Sequence, residues 1–112
     1  MQYVVHLKST PLSAHAYTAC CYLKALIEAQ HHHRLTLLMI FFHQDAVFHA
    51  LRVDPHQDLF ADGLRSNIPF YLCSTSVHKR GIPETLISPP FHLAGLGTLA
   101  QGVSVADRYI LL

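Results

Sequence analysis

Leu35-Thr36-Leu37-Leu38-Met39-Ile40-Phe41-Phe42 is almost unbroken in apolar character. A strand buried on both faces of a parallel sheet reads this way. Upstream, Ala14 to Gln30 contains no Gly or Pro, and Ala16, Ala19, Cys20, Leu23, Leu26 and Ile27 recur at helical spacing. Ser9-Thr10-Pro11-Leu12-Ser13 supplies a loop and a helix start before it, and Tyr3–Leu7 is a first strand. Downstream, residues 43–54 form a mixed segment, Asp58 to Asn67 suits a short helix before Pro69, and Phe70–Cys73 is a third strand. Ser74–Arg80 then reads as a short helix that Gly81 terminates. Ile82–Leu93 carries three prolines and reads as an irregular loop, Thr98–Val103 as a last helical segment and Asp107–Leu112 as a last strand. Strands alternating with helices predict an α/β fold. The expected architecture is a single domain over residues 1–112, a small three-layer sandwich with a mainly parallel sheet.

Composition narrows the function classes. Hydrophobic residues make up 51% of the 112 positions, enough for a real core. Charged residues make up 13%, against ~25% in an average soluble domain. So few charges on a small chain favour a subunit that buries surface against partners. The net charge of +1, with the ten histidines neutral, gives no polyelectrolyte signal for nucleic acid. Three cysteines, with no CxxC pair, suit reduced thiols in a cytoplasmic protein. The start, Met1-Gln2-Tyr3-Val4-Val5-His6-Leu7-Lys8, does not read as a signal peptide. The longest apolar run is far below the ~20 residues of a membrane span.

Cys73 is the cysteine whose position needs a chemical explanation. It ends the run Ile68-Pro69-Phe70-Tyr71-Leu72 and precedes Ser74-Thr75-Ser76. Reactive groups in open α/β sheets gather beyond the carboxyl ends of strands. Backbone amides at a helix start favour an anion, hence a thiolate. Two-residue alternation puts Tyr71 and Cys73 on one strand face and Phe70 and Leu72 on the other. Ser74 is expected to cap the following helix, and His78, Lys79 and Arg80 to make its surroundings positive or to dock an acidic partner. A buried structural cysteine before an ordinary charged helix end is the competing reading. Cys20 falls on the inward helix face and Cys21 beside it, so both read as packing residues.

Other motifs carry less. Leu93-Ala94-Gly95-Leu96-Gly97-Thr98-Leu99 lacks the GKS/T ending of a phosphate loop and the third glycine of a dinucleotide fingerprint, and reads first as a structural turn. His31-His32-His33 would point in different directions on a helix, whereas metal ligands must converge. His43, His49 and His56 lack the spacing of a zinc-protease motif. His43 and Asp45, just past the second strand, are candidates to line the Cys73 pocket. No G-x-S-x-G elbow supports serine hydrolysis.

The segment Phe70-Tyr71-Leu72-Cys73-Ser-Thr-Ser-Val-His-Lys-Arg-Gly81, with Ile82-Pro83-Glu84-Thr85 behind it, resembles the active-cysteine region of the DsrE/TusD sulfurtransferases. Leu93–Ala100 with Ala106-Asp107-Arg108-Tyr109, and Phe41–Phe48, resemble further parts of that family, in the family's order. The resemblance implies a DsrE-like sandwich and makes Cys73 the catalytic residue, accepting sulfane sulfur as a persulfide and handing it on. It implies no metal and no organic cofactor, and it assigns no active position to Cys20 or Cys21. It implies TusB- and TusC-like subunits or a homo-oligomer, a TusA-like donor and a TusE-like acceptor. The endpoint it implies is 2-thiolation of the tRNA wobble uridine, with no direct contact to nucleic acid or membrane. A non-catalytic structural subunit, or a DsrEFH-like component of sulfur oxidation, is the alternative. The loop Lys8–His15 lacks the glycine-containing turn associated with TusD, and the segment before Cys73 is shorter than in fuller-length members. These departures bear on partners and pocket shape.

Overall fold

The computed structural model describes residues 1–51 and 66–112. The short helix expected from Asp58 to Asn67 falls almost wholly outside them, as does His56. In chain order the elements are β1 (Gln2–Leu7), α1 (Ala14–His31), β2 (Thr36–Phe42), a 3-10 segment (Gln44–Ala50), β3 (Phe70–Cys73) and α2 (Ser74–Lys79). A 3-10 turn (Glu84–Leu86), β4 (Phe91–Ala94), α3 (Leu96–Val105) and β5 (Arg108–Leu111) complete them. The strands form one five-stranded sheet in the order β4-β3-β2-β1-β5, and every pairing is parallel.

Each element follows from its residues. Ser13 caps α1, its Oγ accepting from the Ala16 amide at 3.0 Å. The face that α1 buries is Ala16, Ala19, Cys20, Leu23, Leu26 and Ile27, as the helical spacing predicts. β2 is covered on both sides: Leu37, Ile40 and Phe42 pack with α1, while Met39 and Phe41 join Val4 and Cys73 on the reverse face. The β1–β2 register shifts between Tyr3 and Val4, so that Leu38 is an extra residue in β2. This bulge keeps the alternation of faces intact on either side of it.

The strand order fixes where the helices lie. From β1 to β4 the chain steps outward in one direction, and then β5 is placed at the opposite edge, beside β1. Right-handed crossovers put helices for opposite directions on opposite faces. Accordingly, α1 residues, Ala46, Val47 and Ala50 of the 3-10 segment and Val77 of α2 share one core. Leu99 of α3 packs on the other side, with Met39, Phe41 and Cys73. The result is the expected three-layer arrangement. No helix among the described residues is long and apolar enough to cross a membrane.

The segment from Ile82 to Leu93 is not wholly irregular, because it contains β4. The prolines at 83, 89 and 90 all precede the strand rather than interrupt it, and β4 is an edge strand, where proline is tolerated nearby. Phe91 anchors it, its ring 5.4 Å from Phe42 and 5.7 Å from Phe70 by centroids.

Two glycines are set by geometry. Gly81 has φ +66. Its amide donates to the His78 carbonyl at 3.1 Å and that of Ile82 to the Val77 carbonyl at 3.2 Å, closing α2 in a Schellman turn with Ile82 and Val77 both buried. Gly102 lets α3 approach the sheet, since a Cβ there would run into Met39 Cε and lie 3.3 Å from Val4 Cγ2. Gly81→Ala is expected to cost about 1 kcal/mol for its left-handed backbone, and Gly102→Leu about 1–3 kcal/mol by overpacking. Urea unfolding midpoints measure both.

Candidate active site

β3 runs into α2 without a spare residue. Cys73 is the last residue of the strand and also occupies the cap position of α2, at φ −62 and ψ 114. Ser74 is therefore not the cap. It is the first helical residue, and no side-chain hydrogen bond caps the helix. The strand alternation holds: Phe70 and Leu72 pack in the α1 core, and Tyr71 and Cys73 on the α3 face.

Cys73 sits at a switch point of the sheet. Its Cα partner on β4 is Ala94, and Gly95 is the cap of α3. The chain leaves β3 toward the α1 face and leaves β4 toward the opposite face. Adjacent strands whose connections diverge in this way open a crevice at their carboxyl ends, where α/β sheets bind ligands. In this structure the crevice is closed over the sulfur. Cys73 is 1% exposed, among Val4, Met39 and Phe41, with Tyr71, Ala94 and Leu99 against them. Cys20 is buried in the α1 core and Cys21 is exposed.

A hydrogen-bonded chain of rings shares this face. His6 Nδ1 lies 2.6 Å from the Tyr109 hydroxyl, and His6 Nε2 lies 3.2 Å from His43 Nδ1. The His6 ring also meets Phe41 edge-on at 5.8 Å. Two neutral tautomer patterns satisfy the chain. Either Tyr109 donates to His6 and His6 donates to His43, or both bonds run the other way. Burial pushes His6 down to about 4, with His43 and Lys8 adding to the effect. Burial likewise lowers His43, assisted by Lys8 and Arg80. Both rings are thus held neutral.

Of the sequence candidates, His43 belongs to this group, whereas Asp45 does not. Asp45 Oδ1 accepts from Arg80 Nε at 2.9 Å on the surface. Arg80 also donates to the Ser76 carbonyl at 3.2 Å, and Ser76 Oγ accepts from the Gln44 amide at 2.9 Å. These bonds clamp α2 to the segment after β2 and so fix Cys73 relative to His43. His78 pairs with Glu84 at 2.9 Å, which leaves Lys79 as the basic side chain of the His78–Arg80 run without a partner in these pairs. Gly95 and Gly97 start α3 earlier than its expected beginning at Thr98, and neither has a positive φ. His31–His33 lie at the exposed end of α1, and among the described residues no three His, Cys, Asp or Glu side chains are grouped to hold a metal ion.

Sequence reading missed His6 and Tyr109. Their separation of 103 residues leaves no local pattern. A histidine within the apolar strand Tyr3–Leu7 was the one available signal.

The family model described as DsrE/DsrF-like matches residues 1–112. The chain belongs to the DsrE/DsrF-like family. It is 30% identical over 114 residues to a protein of Proteus mirabilis named sulfurtransferase TusD, covering 85% of each chain. It is 27% identical, over an alignment of 132 positions, to a TusD homolog of Haemophilus influenzae, covering the whole of both. The crystal structure of the ychN protein from E. coli superposes with a TM-score of 0.84 at 25% identity, over the full length of both chains. A protein of unknown function from Methanobacterium thermoautotrophicum shares the fold, with a TM-score of 0.77 at 12% identity.

The neutral histidines have a consequence for stability. A ring held at about 4 when folded and near 6.5 when unfolded stabilises the fold fully above pH ~6.5. That contribution is lost as pH falls toward ~4, at a limiting slope of about 1.4 kcal/mol per pH unit for each such group. Chemical denaturation between pH 7 and 5 is expected to show this decline, and His6→Phe to flatten it.

Proposed function

We propose that this chain is a sulfur-relay sulfurtransferase subunit that accepts sulfane sulfur on Cys73 as a persulfide and passes it to a partner protein. The observation that carries the reading is the position of Cys73 at the carboxyl end of β3, where the connections of β3 and β4 diverge. Neither of the other cysteines lies at a strand end. Membership of the DsrE/DsrF-like family and the relatives named TusD support the same chemistry. By the same likeness the acceptor pathway is 2-thiolation of tRNA in the cytoplasm, with TusA- and TusE-like proteins as donor and acceptor and TusB/TusC-like subunits as companions.

The reaction needs a thiolate to attack the outer sulfur of a donor persulfide, with the donor's inner sulfur leaving. It also needs access, and Cys73 is buried in a cluster against which Ala94, at the end of β4, and Leu99, in α3, pack. Gly95, Leu96 and Gly97 are all exposed, so a docking protein can reach the start of α3 directly. Docking of a donor protein against it uncovers the thiol.

The test is persulfide loading followed by intact mass and peptide mapping, because the exposed Cys21 competes for any reagent. Cysteine persulfide is expected to add one sulfur to Cys73 in a Cys21→Ser background. Equal loading of the Cys21→Ser/Cys73→Ser chain would show that Cys73 is not the acceptor.

The burial of Cys73 favours a second reading, a non-catalytic subunit in which the thiol only packs. Limiting iodoacetamide separates the two. Cys21 is expected to react first and Cys73 at least tenfold more slowly, but faster once a sulfur-donor protein is added. Protection of Cys73 that no donor relieves would favour the packing role.

A further inference from the structure

Beyond the cysteine, the chain of rings at the carboxyl edge has a chemical role that rests on the sulfur-transfer reading. We propose that His43 Nε2 takes and returns the proton of Cys73 during sulfur transfer, in the pattern in which His43 Nδ1–H donates to His6 and His6 donates to Tyr109, and that His6 and Tyr109 are positioning residues that hold the His43 ring.

The placement comes from the sheet. Phe42 and Leu72 are Cα partners across β2 and β3. Carrying that register one residue further brings His43 next to Cys73, since neighbouring strands are spaced about 4.8 Å apart. His43 is still in extended backbone, at φ −127 and ψ 152, and its amide still donates to the Leu7 carbonyl at 2.9 Å, so the β1–β2 ladder reaches this level. Both side chains lie on the α3 face: His43 through its bond to His6, Cys73 through its packing with Phe41 and Met39.

The rest of the chain holds the ring in place. His6 is 5% exposed and bonded at both nitrogens, so it has no freedom to rotate without breaking a bond. Tyr109 anchors it from β5. The ionisable groups facing the pair are Lys8 beyond β1 and Arg80 at the end of α2, the latter held by Asp45, with Tyr71 of β3 and His92 of β4 in the same lateral row as His6 and Phe41. α3 presents no ionisable side chain to it, its sequence being LGTLAQGVSV. With Nδ1–H donated to His6, the neutral His43 ring leaves Nε2 as the nitrogen that accepts the thiol proton.

The step balances as follows. His43 takes the proton of the Cys73 thiol, and the sulfur attacks the outer sulfur of a donor R–S–SH. A Cys73–S bond forms, the donor S–S bond breaks, and its electron pair leaves on R–S⁻. The imidazolium returns its proton to R–S⁻. The products are Cys73–S–SH and R–SH, with no external oxidant or reductant.

The experiment measures the rate of loading by cysteine persulfide against pH, in the full chain carrying Cys21→Ser. His43→Ala is expected to slow loading at least tenfold at pH 7. The gap is expected to close near pH 10, above the ordinary thiol range, where a base is not needed. His6→Ala and Tyr109→Phe are expected to slow it less while moving the pH profile, and His6→Asn to recover part of the loss. If His43→Ala does not fold, His43→Gln, which keeps a hydrogen-bonding side chain, carries the same test. A His43 variant with the rate and pH profile of its parent overturns this role while leaving Cys73 as the acceptor. Loading that persists in Cys73→Ser overturns the underlying reading instead.

Discussion

The handedness of the crossovers is the constraint from which the rest of this structure follows. The chain lays down β1 to β4 in one direction and then returns to the far edge for β5. Because each connection must be right-handed, the final one passes over the other face of the sheet. That reversal puts α3 opposite α1 and covers β1, β2 and β3 on both sides. It also parts the chain between the ends of β3 and β4, where Cys73 and Ala94 face each other. Core and candidate site therefore share one cause.

Around that point the molecule combines features that oppose each other. A thiol acting as a nucleophile needs ionisation and access, yet Cys73 is enclosed by Val4, Met39, Phe41 and Leu99. On the proposed function, enclosure protects a persulfide on Cys73 from stray thiols and oxidants and ties its release to contact with a partner. The helix that closes the crevice carries no charged residue and exposes Leu96, Val103 and Val105. Two of the three basic residues of the run after the cysteine are instead paired within the chain, as Arg80–Asp45 and His78–Glu84.

How much of this was legible in the sequence depended on the range of each signal. Helix α1 was readable to its cap and its buried face, because Ser13 and the apolar spacing act within a few residues. β2 was readable because burial on both faces leaves no polar alternation. β4 was missed because Pro89 and Pro90 dominate a short strand whose identity rests on Phe91 meeting Phe42 and Phe70, contacts distant in sequence. Ser74 was misplaced by one residue because Cys73 serves both strand and helix. The position of Cys73 was legible because a strand end followed by a helix start is local. Its neighbours were only half found: His43 follows the strand directly, whereas His6 and Tyr109 meet only once the strand order is known.

The pairing of β1 with β5 has a further consequence, for the order of folding. β1 lies inside the finished sheet, yet it is an edge until β5, which follows every other strand in the chain, docks against it. Gln2 and Asp107 clasp that junction, through Gln2 N–H to Asp107 Oδ2 at 2.7 Å and Asp107 N–H to the Gln2 carbonyl at 2.8 Å. Such long-range closure carries a loop-entropy cost before its contacts form, so it belongs late in folding. His6 gains Tyr109 only at that stage. Without β5 docked on β1 the chain of rings lacks Tyr109, so the candidate site is complete only when the sheet is.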